Sequence, residues 1–454
     1  MSGAAGETEL IAARRYITAS RPRSPALHLL DGGDGRHLFV ADGSRLFEVG
    51  AAAYAALDNA AAQGEGEEAL AALGLAGGPA IDDAPPPAPP VHALSLAVAQ
   101  KCNLGCVYCY AQQGDFGGPA KDMPTAIADR AIEFLLAEAA RGSGRANLAF
   151  LGGEPLVNRP VLQAATRRAA ELARRAGVAL SFSITTNGTL LGAADADFFE
   201  EFGFAVTVSL DGPAAVHDRL RPFKGGRGSF ATVMRNVRPL LERQRWMQVS
   251  ARVTVTPDNL ALRDTLDGLI AAGFHSVGFS PMLSAPGGRG ELQAGHLEAM
   301  LGQMIACGRA FERRLIAGDR YPFANMVNAL REIHRGTHRP YPCGAGAGYL
   351  GVSADGGLAA CHRFVGDEDG AMGSLEAGID EVRRAGWLDA RHVHRQEPCR
   401  SCWARYLCGG GCHHEALRRG RPACDYIRGW LHYCLEAYLR LSASRPDWFQ
   451  PGAA

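Results

Sequence analysis

Lys101-Cys-Asn-Leu-Gly-Cys-Val-Tyr-Cys-Tyr110 places thiols at Cys102, Cys106 and Cys109, directly behind the run from His92 to Ala99 that reads as a buried strand. Thiolates are ligands for soft metals, and three at this spacing suit three corners of a 4Fe-4S cube. Such a cube takes four ligands, so three cysteines with no evident fourth leave one iron for a group that is not protein. A zinc knuckle or three buried free thiols are the competing readings, although zinc sites more often show paired Cys-x-x-Cys knuckles and four ligands.

The 454-residue chain is too long for one ordinary core, so two or three domains are expected. Lysine plus arginine (47) balances aspartate plus glutamate (47), which removes the electrostatic footprint of a nucleic-acid binder. Met1 to Leu10 holds Glu7 and Glu9 and does not read as a secretory signal, and no apolar run reaches spanning length. A cytoplasmic protein with neither nucleic-acid nor membrane partners is expected. Twelve cysteines in that compartment argue for metal or redox chemistry over disulfides.

Upstream of the cysteine stretch, short apolar runs at residues 26–30, 37–40 and 44–49 are separated by Asp31-Gly-Gly-Asp-Gly35 and Asp42-Gly43. Asp-Gly between two such runs is a hairpin signal. With the alanine-rich helical patterns at 51–62 and 67–73, they make a small α+β unit, assigned to residues 1–80. Five prolines within Ile81 to Pro90 make a semi-rigid linker. Downstream, strand and helix patterns alternate with short connections. Strands are expected at 92–99, 147–151, 179–186, 204–210, 249–255 and 276–281, with helices between them. Six βα repeats imply a parallel sheet with helices outside, whose site lies at the carboxyl ends of its strands.

The cysteine spacing, with Tyr108 just before its last thiol, resembles the signature of the radical S-adenosylmethionine (radical SAM) enzymes. The resemblance implies an α/β fold with a partial (βα)6 TIM-like barrel over residues 91–315. It also implies that the open iron chelates the amino and carboxylate groups of SAM, and that an electron from the cluster releases a 5′-deoxyadenosyl radical. Gly152-Gly153-Glu154-Pro155 looks like the family's motif for the SAM amino group: glycines admit a close ligand, and a carboxylate can accept from an ammonium. Asn187, Ser209 and Asp211, on the next two strand tips, are implied to reach the ribose and methionine portions, and Arg221 the SAM carboxylate. Tyr108 is implied beside the adenine, with Arg252 a weaker candidate for the same pocket.

Cys343, Gly356, Cys361, Cys399, Cys402, Cys408, Cys412 and Cys424 reproduce the spacing of the SPASM extension, here assigned to residues 316–454. That domain adds two auxiliary 4Fe-4S clusters, so three clusters plus SAM are the implied cofactors. By resemblance Cys343, Cys361 and Cys412 bind the first auxiliary cluster. Cys399, Cys402 and Cys408 bind the second, with Cys424 or Cys434 as fourth ligand. Cys424 is preferred because it opens a helical run, whose amino end favours thiolate. No cysteine lies between Cys307 and Cys343, so the first auxiliary cluster is expected to keep an open iron. Cys307 itself reads as a core thiol. In sulfatase maturases of this group an aspartate after the second cysteine of that cluster acts as base, and here the position is His362. His413 and His414 are expected to donate hydrogen bonds to cluster sulfur.

The front unit resembles the peptide-recognition domain of radical SAM peptide maturases, where a leader adds a strand to the sheet edge; a decorating subdomain is the alternative. The whole is most like the thioether-forming maturases, including that of quinohemoprotein amine dehydrogenase, which join cysteine to aspartate or glutamate. The expected substrate is a ribosomal peptide or small protein subunit, with or without a leader, and the expected electron donor is a flavodoxin or ferredoxin. Carbon-carbon crosslinking and sulfatase-type formylglycine formation are the alternative chemistries. A non-catalytic, zinc-stabilised peptide-binding protein is the alternative of another class.

Overall fold

The computed structural model describes residues 3–32, 35–76 and 80–450. A helix not foreseen from sequence, α1 (Gly3–Ala19), comes first. The strands β1 (Leu27–Gly32), β2 (Gly35–Val40) and β3 (Arg45–Glu48) then form an antiparallel meander, capped by α2 (Ala51–Gln63) and α3 (Gly66–Ala72). Leu27, Leu38, Val40, Leu57 and Leu70 close a small core of their own between sheet and helices. The turn at residues 33–34 lies outside the described residues. At Asp42-Gly43 the chain makes a longer turn than a two-residue hairpin, because Val40 pairs with Arg45, and Gly43 and Ser44 carry the positive φ (74° and 51°).

The strands of the central unit are β4 (Ala93–Gln100), the two-residue β5 (Lys121–Asp122), then β6 (Arg145–Gly152), β7 (Ala179–Thr186), β8 (Ala205–Ser209), β9 (Gln248–Val255) and β10 (Ser276–Pro281). Between them run α4 (Thr125–Arg141), α5 (Arg159–Ala176), α6 (Ala193–Glu201), α7 (Ala214–Leu220), α8 (Phe230–Arg243) and α9 (Leu262–Ala271). Six strands pair in parallel in the order β10-β9-β8-β7-β6-β4, as a right-handed βα succession requires. Alternation along each strand packs one face under the helices and turns the other inward. In β9, Val249, Ala251, Val253 and Val255 are buried while Arg252 is open.

The barrel does not close. The free side of β4 pairs in parallel with β11 (Tyr349–Val352), and β12 (Gly357–Ala359), β13 (Ala371–Ser374) and β14 (Gly378–Ile379) continue the sheet antiparallel to eleven strands. The carboxyl-terminal region is thus hydrogen-bonded onto the barrel edge. Its helices are α10 (Ala294–Ile316) and α11 (Ala324–His334) before β11, and α12 (Glu381–Arg391), α13 (Arg405–Cys408), α14 (His413–Arg419) and α15 (Cys424–Ser444) after it. The helix α1 packs on α10 and α15. A Cβ at Gly302 of α10 would meet the Glu9 carbonyl at 2.5 Å, so the glycine is what lets α1 approach. Residues 3–19 thus pack on helices of the carboxyl-terminal region. Among the described residues no helix is long and apolar enough to cross a membrane.

Candidate active site

The strand tips meet the first cysteine loop around a cavity of about 620 Å³. Gly152 and Gly153 form its wall at the end of β6. A Cβ on either would run into a carbonyl, of Ala99 or Lys101, at 2.4 Å, so both positions demand glycine. Glu154 departs from expectation. It is fully buried and does not line the cavity. Its oxygens already accept from the Asn187 N–H (2.7 Å), the Thr186 hydroxyl (2.8 Å) and the Leu156 N–H (3.1 Å). Burial raises its pKa to about 7, against those hydrogen bonds. A carboxylate so occupied has no free face for an ammonium. It ties the tip of β6 to that of β7, and the backbone at Gly152 and Gly153 is what faces the cavity.

Asp211 is likewise buried beneath the wall. It pairs with Arg221 Nε (2.8 Å), accepts from the Tyr108 hydroxyl, and takes the Thr254 N–H at 3.0 Å. The Arg221 guanidinium lies over the Tyr108 ring at 5.3 Å, and both line the cavity with Asn187 and Ser209. Asp211 therefore acts by aiming Arg221 and Tyr108, not by touching what the cavity holds.

The cysteine loop is pinned from outside: Gly105 and Val107 donate backbone N–H bonds to the Pro222 and Leu220 carbonyls. Donors converge on the sulfurs, with the Leu104 N–H 3.4 Å and Asn187 Nδ2 3.6 Å from Cys102 Sγ, and Arg221 Nη1 3.9 Å from Cys106 Sγ. Burial pushes the Cys106 thiol up to about 12, with Arg221 opposing. A donor shell of this kind suits thiolates, which is the form a metal cluster demands.

The remaining cysteines sort into two groups. The thiols of Cys343, Cys361 and Cys412 lie near one another: burial, with a smaller contribution from Cys412, raises Cys343, and burial, with smaller contributions from Cys412 and Cys343, pushes Cys361 up to about 12. Cys399, Cys402, Cys408 and Cys424 line a second cavity of about 320 Å³, where burial and, less strongly, the neighbouring thiols raise Cys399, Cys408 and Cys424. Cys434 joins neither group. It is fully buried on α15 with Glu312 as its charged neighbour, and ten residues of helix carry it about 15 Å from Cys424. Cys307 is a fully buried core thiol, as expected. Among the described residues no three Cys, His, Asp or Glu side chains converge as tightly as a single ion needs; a four-iron cube spreads its ligands further. His413 and His414, beside Cys412, each keep one buried ring nitrogen without a protein partner, Nε2 and Nδ1 respectively. These nitrogens and the grouped thiols fit auxiliary clusters.

His362 lines the same large cavity as the first cysteine loop, its ring 6.0 Å from that of Tyr110. Burial, then Arg363 and Arg252, lower its pKa to about 4, so the ring is neutral at pH 7. Its Nδ1 meets the Tyr349 hydroxyl at 2.9 Å, and that hydroxyl meets Ser95 Oγ at 2.8 Å. Sequence reasoning missed three side chains here. Arg363 pairs with Glu415 (2.8 Å), lies over the Tyr110 ring (5.1 Å) and points Nη1 at Cys412 Sγ (3.8 Å). Its position two residues after Cys361, and that of Glu415 three after Cys412, were the available signals. One cavity is thus lined by Cys102, Cys106 and Cys109 and also by His362 and Cys412.

Residues 96–269 match the family model described as the Radical SAM superfamily. The serine-type anaerobic sulfatase-maturating enzyme of Klebsiella aerogenes is 28% identical over 352 residues, 75% of this chain and 84% of the relative. The cysteine-type enzyme of Clostridium novyi is 30% identical over 150 residues, 31% of this chain and 38% of the relative. Among solved structures, native anSMEcpe with bound AdoMet and Cp18Cys peptide superposes with a TM-score of 0.64 at 19% identity, covering 78% of this chain and 99% of that one. At that identity the superposition speaks for the fold.

Proposed function

Because residues 96–269 form a radical SAM domain on the radical SAM α/β fold, we propose that this chain is a radical SAM peptide-modifying enzyme that oxidises a cysteine-containing substrate. One observation carries the reading: the first cysteine loop and Cys412 line a single cavity. When bound, the clusters and SAM would supply a deoxyadenosyl radical and an electron acceptor to the same cavity. The chain's own part is positional. Cys102, Cys106 and Cys109 hold the first cluster. Gly152 and Gly153 present backbone to the SAM amino group, Arg221 takes its carboxylate, and Tyr108, Asn187 and Ser209 complete that site.

Cys343, Cys361 and Cys412, the last of which lines that cavity, offer three thiolates, while Cys399, Cys402, Cys408 and Cys424 make a second set of four. A sulfur and a carbon brought together beside an acceptor set of three favour thioether formation: one C–H and one S–H bond are lost, one C–S bond forms, and two electrons leave. Oxidation of cysteine or serine to formylglycine is the second reading, favoured by the sulfatase-maturating relatives. His362 supports either, since a neutral imidazole accepts a proton where those enzymes have a carboxylate.

Anaerobic co-expression with a short cysteine-bearing peptide, drawn from any such reading frame found beside the gene, followed by mass spectrometry, tests the proposal. A product lighter by two hydrogens, whose cysteine resists alkylation, supports the thioether. A hydrazine-reactive aldehyde supports formylglycine instead. A colourless protein carrying zinc in place of about twelve irons would end both readings.

A further inference from the structure

From Gly212 to Leu241 the chain carries Arg219, Arg221, Lys224, Arg227, Arg235 and Arg238 against a single acid, Asp218, in a protein whose charges sum to zero. Arg221 is matched by Asp211 at 2.8 Å, and the Asp218 carboxylate accepts the Phe230 N–H at 2.7 Å. The other five cations are exposed, and among the described residues none of them is in an ion pair. A local excess of exposed charge on a neutral protein acts chiefly on the approach of a partner of opposite sign.

Two of the five sit on an arm that backs the first cysteine loop. Residues 220–224 run antiparallel to 103–107. Leu104 pairs with Phe223, Gly105 and Val107 donate to the Pro222 and Leu220 carbonyls at 2.8 and 3.0 Å, and Lys224 donates its N–H to the Asn103 carbonyl at 3.3 Å. Gly225 and Gly226 then turn the chain, closed by the Phe223 N–H on the Arg227 carbonyl at 2.8 Å. The Arg227 guanidinium lies over the Phe223 ring at 4.7 Å, which holds it on the arm. Within the loop, Val107 stands exposed between Cys106 and Cys109. Among the described residues none from 222 to 227 lines the large cavity. One hydrogen bond joins Lys224 to Asn103, the neighbour of Cys102, and another joins Pro222 to Gly105, the neighbour of Cys106. Electron tunnelling falls off steeply with distance, and this is a route of few bonds to two ligand sulfurs. We propose that the arm bearing Lys224 and Arg227, with Val107, is where an acidic one-electron carrier protein docks to reduce the cluster held by Cys102, Cys106 and Cys109. A small apolar contact flanked by unpaired cations suits a transient redox partner, since attraction sets the encounter and a small contact releases quickly. In the step itself the carrier loses one electron and the cluster gains it; no bond forms or breaks and no proton moves. The peptide substrate belongs in the cavity, which the arm does not line. This assignment rests on the radical SAM reading above.

The test compares two reductants on the reconstituted holoenzyme: photoreduced flavodoxin as the acidic carrier, and dithionite as a small molecule that needs no docking. Lys224→Glu/Arg227→Glu is expected to require about tenfold more flavodoxin for half-maximal deoxyadenosine formation, while its dithionite-driven rate stays within about twofold of wild type. Arg130→Glu/Arg174→Glu, an equal charge change at exposed positions of α4 and α5, is expected to leave both unchanged. Raising salt from about 50 to about 300 mM should slow the flavodoxin-driven reaction of wild type and leave that of the arm variant flat. Equal flavodoxin dependence in wild type and arm variant, or an equal loss in the control, would overturn the docking site. So would a rise in the half-saturating peptide concentration with flavodoxin dependence unchanged, which would give the arm to the substrate. No deoxyadenosine from wild type with dithionite would instead remove the radical SAM reading, and calorimetric titration of oxidised flavodoxin into wild type and the arm variant would still decide whether the arm binds an acidic carrier.

Discussion

The two carboxyl-terminal cysteine groups differ in number and in what they face. Cys343, Cys361 and Cys412 are three, and Cys412 opens on the same cavity as the first cysteine loop. Cys399, Cys402, Cys408 and Cys424 are four and surround a cavity of their own. A set of three leaves a coordination position for a ligand from outside the protein; a set of four does not. The first cysteine loop and Cys412 border one cavity, and Cys412 borders the cavity of the group of four as well. The contrast resembles that between catalytic and structural zinc sites, where an open position marks the reacting metal.

Breaking the cluster site that starts the chemistry should have the largest effect. Cys102→Ala is expected to reduce deoxyadenosine formation from SAM under dithionite to background and to remove about four irons; cleavage at the wild-type rate would detach the first loop from the cluster. Cys412→Ala should separate the two steps, leaving SAM cleavage in place while abolishing the modified peptide. If product persisted, the group of three would not be where the substrate is oxidised. The closed group is sharpened by a pair of variants. Cys424→Ala should lose about four irons, whereas Cys434→Ala should keep all of them and lose only about 1 kcal/mol of stability to a small cavity. Equal iron loss in both would restore Cys434 as a ligand.

The smallest effect tests the scaffold of the SAM site. His217 is fully buried, receives the Asp211 N–H at Nδ1 (3.3 Å) and meets Ser229 Oγ at Nε2 (3.0 Å). Burial, reinforced by Arg221, lowers its pKa to about 4. Below the unfolded value near 6.5 the unfolded chain takes up the proton first, so the contribution of neutral His217 is lost as pH falls from about 6.5 towards 4. Between pH 7 and 5 this amounts to about 2 kcal/mol. Denaturant unfolding at the two pH values should show it, and His217→Asn should flatten that slope; an unchanged slope would mean that His217 titrates normally in the folded state.

Much of this was legible beforehand because local physics wrote it. Each parallel strand is an apolar stretch ending in a polar tip, and the βα period is regular enough to count six units. The cysteines announce themselves by spacing. What stayed hidden depends on distant partners. The helix α1 is alanine-rich with a weak apolar stripe, and its place is decided by α10 and α15, about three hundred and four hundred residues away in sequence. Glu154 and Asp211 sit in motifs that suggest ligand contact, yet both are turned under the cavity wall, where backbone N–H groups and a guanidinium claim them. Choosing between Cys424 and Cys434 required knowing which end of α15 meets Cys402 and Cys408.

The sequence by itself determined the fold class, the kinds of ligand and the residues at the strand tips, since periodicity, turn chemistry and thiol spacing act over a few residues. Only the tertiary structure decided which groups share a cavity, which carboxylates are already spent on the protein, and that the arm of Lys224 and Arg227 backs the first cysteine loop. Those are properties of charges and donors brought together through space, where burial removes water and each polar group must find its match in whatever the fold sets beside it.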